Sequence, residues 1–178
     1  MMVYATPEKV LISREEIAEK VAETAAKLAD EYRGKKPLVV CVLNGAAIFF
    51  ADLIRGMDIP LEVSSVAATS YGDSTESSGE VRITKDIDVD IKGRHVLLVE
   101  DIIDSGRTMK ALTERLKQYR PASLAVCAFA DKPSRRVNDF KADYVCFEVP
   151  DRFVVGYGLD CAGLYRNLPD LRIIGDTQ

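Results

Sequence analysis

One short stretch constrains this chain more than any other. Val96, Leu97, Leu98 and Val99 run into Glu100 and Asp101, and then into Ile102, Ile103, Asp104, Ser105, Gly106, Arg107 and Thr108. The apolar run is too short for a helix and rich in β-branched residues, so it reads as a buried strand whose carboxyl end carries charge. Met109, Leu112 and Leu116 follow at helical spacing. The small residues between strand and helix therefore sit where a helix N-terminus leaves backbone N–H groups without intrahelical partners. Those donors and the positive end of the helix dipole favour an anion, with Gly106 permitting close backbone approach and Thr108 adding a hydroxyl. The two acids just upstream would repel a bare phosphate, so they point to another part of the same ligand: sugar hydroxyls, a magnesium ion, or both. A ribose phosphate meets both demands.

Around this stretch the chain alternates strand and helix signals. Ser13, Arg14, Glu15 and Glu16 form a capping box, after which Ile17, Val21, Ala25 and Leu28 recur at helical spacing until Gly34. Residues 38–43 are a continuous apolar strand ending at Asn44 and Gly45, and a helical run over 46–55 follows directly. A strand is expected over 61–69. Residues 70–79 are turn formers with Tyr71 as the only aromatic, which predicts a long loop of the kind that often closes over a site. Residues 80–83 and 86–91 alternate weakly and predict a ribbon. Further apolar strands are expected over 123–130 and 144–149, and the glycines and prolines after Asp151 predict an irregular cap with one short strand. The whole is an α/β chain with a mainly parallel central sheet flanked by helices, an architecture that binds ligands at the carboxyl ends of its strands.

The length, 178 residues, is that of one domain, and such a domain buries about 70% of its unfolded surface without staples. Twenty-four basic against twenty-eight acidic residues give a formal charge of −4, which argues against nucleic-acid binding. No apolar span reaches membrane length, and residues 1–9 lack the features of a signal peptide, so a cytoplasmic protein is expected. Cys41, Cys127, Cys146 and Cys161 show no C-x-x-C pairing, and the first three lie in strand-like runs, which predicts buried thiols. His95, the only histidine, is expected to be a solvated turn residue.

The arrangement Glu100-Asp101-x-x-Asp104-Ser105-Gly106-x-Thr108 resembles the 5-phosphoribosyl-1-pyrophosphate motif of type I phosphoribosyltransferases. Leu43-Asn44-Gly45-Ala46, Ser70-Tyr71, Lys132, Phe153-Val154, Asp160 and Arg166 resemble motifs of the hypoxanthine-guanine members of that family, and the likeness runs from about residue 38 to 174. It implies a single phosphoribosyltransferase domain over 1–178: a core over about 36–149, and a small irregular hood over about 150–178 together with the N-terminal residues.

The resemblance also implies a role for each motif. Glu100 and Asp101 would hold the ribose hydroxyls, directly or through Mg2+. Residues 104–108, Arg107 among them, would cradle the 5′-phosphate, and Asp104 would also exchange a proton at N7 of the purine. Leu43, Asn44 and Gly45 would turn their amides to pyrophosphate, in relatives with a cis bond before the second residue. Many relatives carry lysine or arginine where this chain has Asn44, which shifts charge neutralisation to magnesium, main-chain donors and Arg166. Ser70 and Tyr71 would open a flexible catalytic loop. Lys132 would donate to the purine O6, Phe153 stack on the base, Val154 offer main-chain hydrogen bonds, and Asp160 hold a second magnesium. Homodimers or homotetramers are usual in the family.

Taken singly, most of these residues have ordinary explanations. Asp104 caps a helix, Lys132 is a solvated strand end, Asp160 and Arg166 are surface charges, and Phe153 and Val154 pack a core. A response-regulator receiver shares the strand ending in acids, yet almost a hundred residues precede that strand here and the phosphate loop would be unexplained. A regulatory protein on the same fold, or a transferase for xanthine or another base, remains the alternative to a transferase making IMP or GMP from hypoxanthine or guanine in purine salvage.

Overall fold

The structure, a computed structural model, describes residues 7–70 and 81–175. It begins with strand β1 (Pro7–Ile12) and helix α1 (Arg14–Glu31). The Ser13 hydroxyl accepts from the Glu16 amide at 3.2 Å and Glu16 Oε2 accepts from the Ser13 amide at 2.8 Å, completing the expected capping box. Strand β2 (Leu38–Leu43), helix α2 (Ala47–Gly56), β3 (Glu62–Ser70) and β4 (Val81–Lys85) follow. Then come β5 (His95–Ile103), α3 (Arg107–Lys117), β6 (Ser123–Asp131), a single 3-10 turn (Pro133–Arg135), β7 (Tyr144–Glu148), β8 (Val154–Val155) and β9 (Leu171–Ile174).

Six strands form the central sheet in the order β4-β3-β2-β5-β6-β7, all parallel except β4, which runs antiparallel to β3. Successive side chains of β5 alternate between two apolar layers. Leu97 and Val99 join Ile17, Leu28, Phe49, Leu53 and Phe129 under α1 and α2, while Val96 and Leu98 join Val40, Val66, Met109, Leu112 and Leu116 under α3. Burial on both faces explains why the strand is apolar without interruption. The chain leaves β2 toward β3 on one side, whereas β5 leads to β6 on the other. A crevice opens at such a switch point, beyond the carboxyl ends of β2 and β5.

Several local expectations need correction. β5 does not stop at the two acids but continues through them to Ile103. Residues 86–91 form no strand, because Asp86 is drawn to α3: its Oδ2 accepts from Arg115 Nε at 3.0 Å, Arg115 Nη2 at 2.7 Å and Tyr119 Oη at 2.8 Å. His95 is no turn residue; it opens β5, half-buried, with Nδ1 2.7 Å from Ser123 Oγ. The C-terminal segment is more regular than its glycines imply, since it contributes two short strands to a second, antiparallel sheet in the order β1-β9-β8. Two- and four-residue strands carry too little periodicity to be read locally, and the partner of β9 comes from the other end of the chain. Cys41, Cys127 and Cys146 are free and buried as expected. No helix among the described residues is long and apolar enough to cross a membrane.

The Asp86 junction ties the exit of β4 to α3. Burial would raise its carboxyl, but hydrogen bonds from Arg115, Tyr119 and the Ile87 amide outweigh burial and hold it below its ordinary value of 3.8. A carboxyl lowered by folding adds stability above its ordinary range and loses it as pH falls through the depressed value. Asp86→Asn is therefore expected to lower the melting temperature by about 2–4 °C at pH 7, with the gap to wild type closing as melts are repeated below pH 3.8.

Candidate active site

A cavity of about 700 Å³ occupies the crevice at the switch point. The end of β2 and the turn after it supply Leu43, Asn44 and Gly45; β5, its loop and the first turn of α3 supply residues 100–109; and the C-terminal segment supplies Asp160 and Arg166.

The loop after β5 leaves the N-terminus of α3 without a side-chain cap. Gly106 is the N-cap of α3 at φ 80°, a left-handed conformation that favours glycine, and offers no side chain to the first-turn amides. Helix α3 carries Arg115 and Lys117 in its last turn and no acid in its first, leaving the positive dipole end uncompensated.

The two acids are consecutive residues in the last part of β5. Glu100 is buried and Asp101 half-buried; Glu100 Oε1 accepts from the Asp101 amide at 3.0 Å, and Asp101 Oδ1 from the Ile102 amide at 2.7 Å. Burial, and then the neighbouring Asp101 charge, push the Glu100 carboxyl well above its ordinary value. Burial raises Asp101 as well, against the opposing pull of the Ile102 amide and Arg166. The pair is short of positive charge, which suits hydroxyl donors or a cation.

The turn after β2 is fitted to these acids. The Leu43–Asn44 peptide bond is cis, as the family likeness implied. A Cβ on Gly45 would collide with the Asp101 carboxylate, and a Cβ on Gly158 would collide with the Gly45 carbonyl. Two glycines thus let the β2 turn, the acids and the C-terminal segment stack in direct contact. Arg166 is held behind this stack: its Nη1 donates to Gly158 O at 2.6 Å and its Nη2 lies 2.7 Å from Asp160 Oδ1. Asp160 Oδ2 accepts from the Gly163 amide at 2.7 Å, so this carboxylate is already engaged by an arginine and a main-chain donor.

Asp104 faces a cluster of alternating charge. Arg135 Nε lies 2.6 Å from Asp104 Oδ1, and Arg135 Nη1 donates to Asp151 Oδ1 at 3.1 Å. Asp104 Oδ1 is buried without a hydrogen bond, so the close Arg135 contact is an ion pair off the N–H axis. Lys132 is not the solvated strand end that its position alone implies; only 7% of it is exposed. Burial lowers its ammonium and Arg135 adds to that, while Asp104 and Asp151 oppose it.

The cavity brings together Leu43, Asn44, Gly45, Glu100, Asp101, Asp104, Ser105, Gly106, Arg107, Thr108, Asp160 and Arg166. Lys132, Phe153 and Val154 do not line it. Lys132 adjoins it through its amide, which donates to Ile103 O at 2.9 Å, Phe153 is 55% exposed rather than packed in the core, and Val154 is buried in β8. Ser70 ends β3, whose preceding residue Thr69 lines the cavity; Tyr71 and the rest of the expected loop lie outside the described residues. Arg135 was not anticipated. Its signal was the basic run Arg135-Arg136 shortly after Lys132, which reads as a solvated surface when taken alone. Among the described residues no group of three or more His, Cys, Asp or Glu side chains is placed to hold a metal ion unaided.

Residues 12–162 match the family described as phosphoribosyl transferase domain. Over 167 residues the chain is 52% identical to the hypoxanthine-guanine phosphoribosyltransferase of Bacillus subtilis (strain 168), covering 94% of this chain and 93% of that one. A crystal structure of a hypoxanthine-guanine phosphoribosyltransferase from Bacillus anthracis aligns with a TM-score of 0.90 at 44% identity, covering 96% of this chain and 100% of that one. A hypoxanthine phosphoribosyltransferase from Staphylococcus aureus aligns with a TM-score of 0.90 at 41% identity, covering 95% and 92%. The mostly parallel sheet is the fold these proteins share with the chain. With a switch-point cavity that gathers paired acids and a glycine-capped helix N-terminus, and with likeness of this extent, the chain belongs to the phosphoribosyltransferase family and to its hypoxanthine-guanine branch.

Proposed function

We propose that this protein joins hypoxanthine or guanine to 5-phosphoribosyl-1-pyrophosphate, giving IMP or GMP and pyrophosphate in purine salvage. One observation carries the assignment: the adjacent Glu100 and Asp101 carboxylates and a glycine-capped helix N-terminus share a single cavity with the Asn44-Gly45 turn and Arg166. Each end of a phosphoribosyl pyrophosphate thereby meets complementary chemistry.

In this scheme the 5′-phosphate sits on the amides and hydroxyls of residues 105–108, and the ribose hydroxyls face Glu100 and Asp101. Pyrophosphate lies against Leu43, Asn44, Gly45 and Arg166. The Arg166 guanidinium, fixed by Gly158 O and Asp160, is aimed without needing to be ordered at the moment of reaction. Asp104 exchanges a proton with N7 of the base, and Lys132 donates to O6. A donor there leaves adenine, with an amino group in that place, without a matching acceptor. Phe153 is exposed enough to stack on a ring, and Val154 follows it in β8. The part given to Ser70 and Tyr71, keeping water from the reacting centre, rests on the family likeness alone.

Magnesium fits the acid pair on chemical grounds. Glu100 and Asp101 are hard oxygen donors with unbalanced charge, and Mg2+ is commonly held by one or two carboxylates with waters and substrate oxygens completing its shell. Asp160, close to Arg166, would hold a second ion with the oxygens its present partners leave free. Bound there, magnesium would neutralise the leaving diphosphate. We further read the chain as one cytoplasmic domain, core over about 36–149 and hood over about 150–178, that works as a homodimer or homotetramer.

With phosphoribosyl pyrophosphate, magnesium and an equimolar mixture of bases, chromatography should show IMP and GMP with stoichiometric pyrophosphate and no AMP. XMP as the main product would favour the xanthine alternative, and no nucleotide at all the regulatory one. Asp104→Asn is expected to keep the fold and most phosphoribosyl affinity while lowering kcat by about 10²-fold or more; unaltered turnover contradicts the proton-transfer role. In Lys132→Gln the KM for hypoxanthine should rise about tenfold or more with the KM for phosphoribosyl pyrophosphate little changed.

A further inference from the structure

The segment after β6 is the back wall of the phosphate loop, and it contains one largely buried charge that the chemistry above does not use. Three successive carbonyls turn into this wall. Ile103 O accepts from the Lys132 amide at 2.9 Å, Asp104 O from Arg136 Nη1 at 2.8 Å, and Ser105 O from the Val137 amide at 3.1 Å. A trans peptide unit directs its N–H opposite to its C=O, so drawing these carbonyls backward turns the following amides away from the wall. The cavity lies on that other side.

Two of the three contacts come from the main chain. The third is the Arg136 guanidinium, whose side chain is 12% exposed and whose Nη2 pairs with Asp131, itself 13% exposed, at the end of β6. The planar fork thus spans the end of one strand and the bend after its neighbour, which a single ammonium cannot do. The same side chain is the seat of the glycine cap: a Cβ on Gly106 would come within 2.8 Å of Arg136 Cδ and 2.7 Å of Asn138 Oδ1. Arg136 differs in this from Arg135, which is exposed and lines the cavity itself.

We propose that Arg136 is a positioning residue for the 5′-phosphate. Held by Asp131, it fixes the Asp104 carbonyl and supports Gly106, and so sets the bend whose amides meet the phosphate, without touching substrate. This rests on the assignment of residues 105–108 as the phosphate site.

Arg136→Lys keeps the positive charge opposite Asp131 and gives up the second arm. Its Kd for ribose 5-phosphate, by calorimetry, and its KM for phosphoribosyl pyrophosphate are expected to rise about ten- to hundredfold. The KM for hypoxanthine and kcat at saturating phosphoribosyl pyrophosphate should stay within about threefold of wild type, with a cooperative melt near the wild-type temperature. Val137→Pro, which deletes the amide to Ser105 O behind an already extended Arg136 (φ −62°, ψ 127°), should follow the same pattern. A folded Arg136→Lys that binds ribose 5-phosphate as wild type does overturns the proposal, as does a fall in kcat with every KM unchanged. If the lysine variant does not fold, wild-type affinity in Val137→Pro overturns it equally. Wild-type protein that binds no ribose 5-phosphate would instead remove the phosphate-site assignment beneath it.

Discussion

Two carboxylates on consecutive residues, Glu100 and Asp101, are placed at the buried end of the central strand, and the rest of the site is arranged around that charge. Adjacent residues of a strand face opposite sides of the sheet, yet both acids here are largely shielded from water and both are pushed toward protonation. The Asp101 and Ile102 amides and Arg166 offset part of the cost. What remains is a local deficit of positive charge facing a cavity, a condition that a sugar's hydroxyls or a bound cation relieves.

The geometry of the neighbours follows from that placement. Gly45 has no side chain because the Asp101 carboxylate fills the space where one would be, and Gly158 has none because the Gly45 carbonyl does the same. The small antiparallel sheet gives the C-terminal segment a fixed base, from which the loop carrying Asp160 and Arg166 reaches the ends of β2 and β5. The cap is therefore part of the site and not a cover laid over it.

A second electrostatic unit stands beside the first. Arg135 lies between Asp104, with which it lines the cavity, and Asp151, while Lys132 is buried nearby. Behind it, Arg136 and Asp131 form a shielded pair, from which Arg136 also donates to the Asp104 carbonyl. Basic side chains thus take three different settings within a few residues: Lys132 is buried, Arg135 lines the cavity, and Arg136 is tied to Asp131 and the Asp104 carbonyl.

Local sequence was sufficient wherever the deciding interactions are local. The capping box of α1, the continuous apolar β2 and β5, the amphipathic α3 and the glycine turn before it each follow from hydrogen bonding or periodicity within a few residues, and the acids and phosphate loop could be named from them. Family likeness added Lys132, Phe153, Asp160 and Arg166, which no local pattern distinguishes from surface or core residues. Tertiary structure alone decided the rest: the pairing of β1 with β9, the capture of Asp86 by α3, the burial of Lys132, the contact of Arg135 with Asp104, and the hydrogen bond from Arg136 to the Asp104 carbonyl. Each of these joins residues distant in sequence, and whether a charge is solvated, paired or buried depends on what the fold brings against it.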